Sequence, residues 1–187
     1  MGVLSKMLKA GRELYFVDID GVLADISHRM DYAKENKYDL FYSAPIMRKD
    51  APIYEFNVLY KTINMELMDN NASLFIITGR PERTRLVTME WLQEHYYRFY
   101  KECLKDGVLK MRADGDYRKS PDVKHELVTE VLDKYYGENG YAHLDKAIII
   151  DDDPNNVLAM KTAIEKHPSQ MNASTCLTFG TGRISGS

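Results

Sequence analysis

Cysteine is scarce in this sequence: only Cys103 and Cys176 occur among 187 residues. They form no CxxC pair, and no histidine is spaced to complete a metal site with them, which excludes a disulfide scaffold, thiol redox chemistry and structural zinc. Both are expected to be buried thiols. Long apolar runs are absent too, and without about 20 consecutive apolar residues no membrane-spanning helix is expected. The N-terminal stretch Met1 to Arg12 carries Lys6, Lys9 and Arg12 but lacks the apolar segment of about 7–15 residues that a secretory leader needs, so a cytoplasmic location without membrane association is expected. There is no internal repeat, no low-complexity tract and no GxxxxGKS or GxxxxGKT phosphate loop, which excludes a P-loop nucleotide site. Positive charge is not in excess: 25 Lys and Arg against 28 Asp and Glu give a net charge of −3. The chain as a whole is therefore no electrostatic attractor for nucleic acid, although a local basic patch is compatible with that total.

What is present is an ordinary globular composition, 44% hydrophobic and 28% charged, over residues 1–187. A chain of this size buries about 70% of its unfolded surface, so one domain is expected. Apolar, β-branched runs predict strands at Leu14 to Ile19, Ser73 to Ile77, Lys146 to Ile150 and Ser174 to Phe179, with a weaker one at Val108 to Arg112. Between them, three- and four-residue apolar spacing predicts helices around Tyr54 to Met68, Glu82 to Phe99, Val123 to Tyr135 and Asn155 to Lys166. Ser120 is placed to cap the third of these, with Pro121 in its first turn. Strands alternating with helices imply an α/β fold with a doubly wound, Rossmann-like parallel sheet. Residues 25–52 interrupt that rhythm and read as a small inserted helical lid. There Tyr32, Tyr38, Phe41 and Tyr42 are interleaved with His28, Arg29, Lys34 and Lys37, either as a ligand surface or as a hairpin packed on the sheet.

The chemistry gathers at the expected strand ends. Asp18-Ile19-Asp20-Gly21 closes the first strand, and strand alternation would send Asp18 and Asp20 to one side, at the ligand crevice of an open α/β sheet. Asp151-Asp152-Asp153 closes the strand Ala147 to Ile150, so the two acidic groups would converge if those strands are neighbours. Like charges about 4 Å apart repel by roughly 4 kcal/mol at an effective dielectric of 20, and such a cluster calls for a cation. Carboxylate oxygens without histidine or cysteine favour Mg²⁺. Thr78-Gly79-Arg80 follows the second strand, where a hydroxyl, backbone N–H groups and a guanidinium can grip phosphate oxygens. Lys124, one turn inside its helix, can bring an ammonium to the same crevice.

In this order these residues resemble the four motifs of the haloacid dehalogenase (HAD) superfamily of phosphohydrolases, over nearly the whole chain from Leu14 to Phe179. The resemblance implies that Asp18 is a nucleophile, Asp20 a general acid/base, Thr78 and Lys124 a phosphate-binding pair, and Asp151 and Asp152, with Asp18 and Asp20, the Mg²⁺ end of the site. The run from Met111 to Lys124 is similar, more narrowly, to the third-motif region of the 3′-phosphatase domain of bacteriophage polynucleotide kinase/phosphatases. That likeness makes Arg29, Gly79, Arg80, Arg112 and Arg118 substrate-binding candidates. Ser120 and Asp153 depart from it, standing where that family has an aspartate and usually an arginine.

Three functional readings follow: a phosphatase for 3′-phosphate ends of polynucleotides, a small-molecule phosphatase such as a 5′(3′)-nucleotidase, and a non-catalytic phosphate-binding module. The last is disfavoured, because two adjacent carboxylates oppose phosphate binding unless a metal and a reaction require them. Between the first two, the cations Arg29, Arg80, Arg112 and Arg118 outnumber what one phosphate needs and point to a phosphorylated nucleic-acid end. The negative net charge points to a free nucleotide.

Overall fold

A computed structural model describes residues 13–136 and 146–168, together with the backbone of residues 175–178. In chain order the strands are β1 (Glu13–Val17), β2 (Ala24–Asp25), β3 (Ala51–Pro52), β4 (Ala72–Pro81), β5 (Leu109–Arg112), β6 (Lys146–Asp151) and β7 (Thr175–Thr178). The α-helices are α1 (Met30–Lys34), α2 (Tyr38–Phe41), α3 (Ala44–Met47), α4 (Asn57–Met68), α5 (Arg85–His95), α6 (Tyr97–Cys103), α7 (Ser120–Tyr136) and α8 (Pro154–Lys166). Single 3₁₀ turns at Ser27–Arg29, Tyr54–Phe56 and Glu82–Thr84 lead into α1, α4 and α5.

Five strands form one sheet in the order β5-β4-β1-β6-β7, and every neighbouring pair is parallel. The α/β, doubly wound sheet expected from the alternating pattern is therefore present. Strand alternation divides its core in two. Tyr15, Val17, Leu74, Ile76, Ile148 and Ile150 face α4, α5 and α6, meeting Ile63, Leu67, Trp91, Leu92 and Phe99. Leu14, Phe16, Phe75, Ile77, Ala147 and Ile149 face α7 and α8, meeting Val123, Leu127, Val131, Val157, Met160 and Ile164. Burial on both faces explains why these strands are unbroken apolar runs.

The chain winds from β1 through β4 to β5 on one side, then crosses β1 to build β6 and β7 on the other. This reversal opens a crevice beyond the carboxyl ends of β1 and β6, the usual ligand position in such sheets. Val17 is paired with Ile150, and the Asp18 N–H donates to the Ile150 carbonyl at 2.9 Å, so Asp18 and Asp151 leave adjacent strands at the same level.

Residues 25–52 leave the sheet domain between β2 and β3, which pair antiparallel at the base of the insertion. Tyr96 secures that base. Its hydroxyl lies 3.1 Å from the Leu23 carbonyl and 3.3 Å from the Ile53 carbonyl, and its ring is only 1% exposed. Tyr96 takes a non-helical conformation (φ −135°, ψ 61°), and this splits the single helix expected over Glu82 to Phe99 into α5 and α6. Two smaller shifts concern ends. α7 begins at Ser120 itself, with the Lys119 carbonyl accepting from the Val123 N–H, so Lys119 holds the cap position expected of Ser120. β4 runs on to Pro81, so Thr78-Gly79-Arg80 lies within the strand, at a register shift against β5, rather than in a turn before a helix.

Cys103 is buried, and burial pushes its thiol up to about 12. The Cys176 side chain and the ends of the expected strand at 174 and 179 lie outside the described residues. Among the described residues no helix is long and apolar enough to cross a membrane.

Candidate active site at the β1 and β6 strand ends

Asp18 is 5% exposed, Asp151 is 0% exposed and Lys124 is 1% exposed. The Lys124 ammonium reaches them from the first turns of α7, standing 2.7 Å from Asp18 Oδ2 and 2.5 Å from Asp151 Oδ2. Asp151 Oδ1 is satisfied separately, accepting from the Asp153 N–H and from Asn156 Nδ2, both at 3.0 Å. Asp18 Oδ1 is different: it is buried and has no hydrogen-bond partner.

One oxygen from each of Asp18, Asp151 and Asp152 lies within 4.8 Å of the others, close to the roughly 4 Å between opposite ligands of an octahedral Mg²⁺. Three carboxylates thus share one ammonium. Burial is the largest influence on Asp18 and Lys124 opposes it, while Asp151 and Asp20 add to it, so its carboxyl is pushed up to about 8. Asp152 rises to about 6, through burial first and then the neighbouring Asp151. Burial works against the charge of Lys124, yet Asp18 and Asp151 hold it above its ordinary value. A site with three carboxylates and one ammonium, two positive charges short, with an orphaned carboxylate oxygen and a donor set of oxygen alone, fits a hard divalent cation.

Asp20 does not join this group. Its Oδ1 accepts from Arg29 Nη2 and Arg80 Nε, each at 2.9 Å, and from Arg80 Nη2. Burial opposes ionisation of Asp20, but the Arg80 and Arg29 guanidiniums together hold its carboxyl below the usual carboxylate range. Both arginines are 0% exposed. Asp50 closes the arrangement from behind by accepting from Arg29 at 2.8 and 3.0 Å and from Arg80 at 2.7 Å. Phe41, from the insertion, lies against the Arg29 guanidinium at 4.3 Å from ring centre to Cζ.

The remaining candidates stand along β4 and the loop after β5. Thr78 is fully buried, and its Oγ1 accepts from the Arg80 N–H at 3.3 Å. The Gly79 carbonyl takes Arg112 Nε at 3.1 Å. Arg112 also holds the loop, with Nη1 donating to the carbonyls of Asp116 at 3.2 Å and Arg118 at 2.7 Å. Arg118 is engaged by Asp116 and Glu126. The structure therefore brings Asp18, Lys124, Asp151 and Asp152 together, sets Asp20, Arg29 and Arg80 beside them as a second cluster, and commits Arg112 and Arg118 to the loop. Asp50 and Asn156 escaped sequence reading, since neither belongs to a motif. Asp153 has a local explanation as the cap of α8, accepting from the Asn155 N–H at 2.9 Å.

The family model described as "Polynucleotide kinase PNKP phosphatase domain" matches residues 12–165. Among solved structures, a chain of the Pnkp1/Rnl/Hen1 complex is similar in fold, with a TM-score of 0.54 at 16% identity. That alignment covers 91% of this chain and 46% of the other, so the present chain spans less than half of that relative's length. The HAD domain of effector protein Lem4 from Legionella pneumophila is similar at a TM-score of 0.53 and 14% identity, covering 95% of this chain and 91% of that domain. No curated protein matches the sequence.

The turn after Asp20 explains the glycine of the first motif. Gly21 has φ +83°, and a Cβ there would fall 2.1 Å from Asp152 Oδ2. The positive φ is the backbone that glycine adopts without strain, and any side chain there would also have to displace the Asp152 carboxylate. Gly21→Ala is expected to cost about 1–3 kcal/mol, read as a midpoint lowered by about 2–4 °C per kcal/mol. An unchanged thermal midpoint would show that the β1 and β6 ends are not packed as described.

Proposed function

The chain belongs to the family of HAD-type phosphatase domains of polynucleotide kinase, and from that premise we propose that it is a Mg²⁺-dependent phosphomonoesterase acting on 3′-phosphate ends of polynucleotides. The observation that carries the reaction is Asp18: one oxygen is held by Lys124, and the other is buried without a partner. A buried carboxylate oxygen left unpaired is costly, and such atoms persist where chemistry uses them.

In the proposed reaction Asp20, a carboxylate in the free site, takes up a proton from solvent as the phosphate dianion enters; Asp18 Oδ1 then attacks phosphorus while the ester P–O bond breaks and Asp20 passes that proton to the departing alkoxide oxygen. Asp20, now a carboxylate, then takes a proton from water as that water attacks the aspartyl-phosphate, freeing Asp18 and phosphate. One difficult displacement becomes two easier ones. Lys124 steadies Asp18 through its second oxygen and offsets charge on the phosphoryl group. Held by the carboxylates of Asp18, Asp151 and Asp152, Mg²⁺ would neutralise the phosphate dianion as it approaches them.

The polynucleotide reading is supported by the family and by the loop from Arg112 to Ser120. That loop is braced by Arg112 and presents Tyr117 at 94% exposure. A nucleotidase acting on free nucleotides is the alternative. It is favoured by the burial of Arg29 and Arg80, whose charge is matched by Asp20 and Asp50 instead of being left for a flanking phosphate.

Two outcomes are expected. At about 100 times its Kd, Mg²⁺ should add about 2.7 kcal/mol of stability, raising the midpoint by about 5–10 °C. Asp151→Asn should abolish that shift, and an equal shift in the variant would place the ion elsewhere. For substrate, a 3′-phosphorylated oligonucleotide should show higher kcat/KM than a 3′-mononucleotide and a steeper fall with added salt, as counterion release demands. Equal efficiencies with equal salt dependence would assign the protein to the nucleotidases.

A further inference from the structure

Asp50 is a buried acid that the reaction above leaves without a task. It is 2% exposed and lies at the end of the insertion, immediately before β3. Trp91 Nε1 fixes its backbone by donating to its carbonyl at 2.7 Å. Its carboxylate grips Arg29 through Nε and Nη2 and Arg80 through Nη2. His28 Nε2 stands 3.6 Å from its Oδ1.

The same two guanidiniums hold Asp20, which makes a closed arrangement of two carboxylates and two cations with no net charge. Its geometry is lopsided. All three guanidinium bonds to Asp20 fall on Oδ1, and among the described residues no hydrogen bond falls on Oδ2. A guanidinium and a carboxylate prefer a two-pronged fork in which both oxygens are taken. Arg29 makes that fork with Asp50 and has only Nη2 left for Asp20. Arg80 Nη2 is likewise shared between the two acids.

We propose that Asp50 is a positioning residue for Asp20: by drawing Arg29 and Arg80 from behind, it confines them to Oδ1 and keeps Oδ2 free to carry the transferred proton. Without it, each guanidinium could turn and fork across both oxygens of Asp20, which would remain in the site but have no oxygen open to the leaving group. The proposal rests on the reading of Asp20 as general acid. It also gives residues 25–52 a task, because they supply both Arg29 and the Asp50 that ties Arg29 to Arg80.

A leaving-group comparison tests it. Nitrophenolate departs without a proton, whereas benzyl alkoxide does not, so the ratio of kcat/KM for 4-nitrophenyl phosphate to that for benzyl phosphate reports proton delivery in the first step. Asp20→Asn should raise this ratio about 100-fold or more. Asp50→Asn should raise it about 10-fold or more, with little change on 4-nitrophenyl phosphate, and should add nothing in an Asp20→Asn background. Asp50→Glu keeps the charge but displaces the carboxylate, and it should also raise the ratio. If Asp20→Asn leaves the ratio unchanged, the acid assignment itself is wrong. If Asp20→Asn raises it but both Asp50 variants slow the two substrates equally, or neither variant folds, Asp50 is a residue of the fold and the proposal is overturned.

Discussion

The contact on which the site depends is that of one ammonium with two buried carboxylates, Lys124 between Asp18 and Asp151. Asp18 directly follows β1 and Asp151 ends β6, the strands are neighbours, and parallel pairing of Val17 with Ile150 fixes their level. Bare carboxylates at such spacing repel by several kcal/mol. The lysine offsets one charge, and with Asp152 added the group remains two positive charges short. The sheet gives the acids their positions, α7 supplies the first counterion, and the charge that remains is what makes a divalent ion and a phosphate compatible with the same crevice.

A second set of charges, Asp20 with Arg29, Arg80 and Asp50, stands beside the first and is balanced within itself. Burying two guanidiniums is tolerable only because every charge has a partner. The insertion supplies Arg29 and Asp50, the strand β4 supplies Arg80, and the turn at Gly21 supplies Asp20. The acid/base candidate is thus fastened to three separate parts of the chain, whereas the nucleophile candidate is fastened to the sheet and α7.

How much of this was legible in the sequence depends on how local each cause is. The buried strands, the helix of Lys124 and the meeting of Asp18 with Asp151 follow from apolar runs ending in acids, a signal contained in a few residues. The partners of Asp20 were not, because Arg29 reaches it across 9 residues and Arg80 across 60, separations that strand alternation does not address. The break at Tyr96 is equally non-local, since its cause is a pair of carbonyls from Leu23 and Ile53. Asp50 meets Arg29 across 21 residues and Arg80 across 30, a separation at which no motif marks the pairing. Asn156 secures Asp151 from one turn into α8, where an asparagine has no distinguishing pattern.

The central claim is that Asp18 takes the phosphoryl group. It is tested most directly by mixing the protein with a saturating phosphate monoester and Mg²⁺, quenching in acid within the first turnovers and mapping phosphate by mass spectrometry of the peptides. The account predicts a phosphate on the peptide that contains Asp18, assigned to that side chain and discharged by a chase before quenching. Turnover with no phosphorylated peptide, or with phosphate on any other residue, would contradict it.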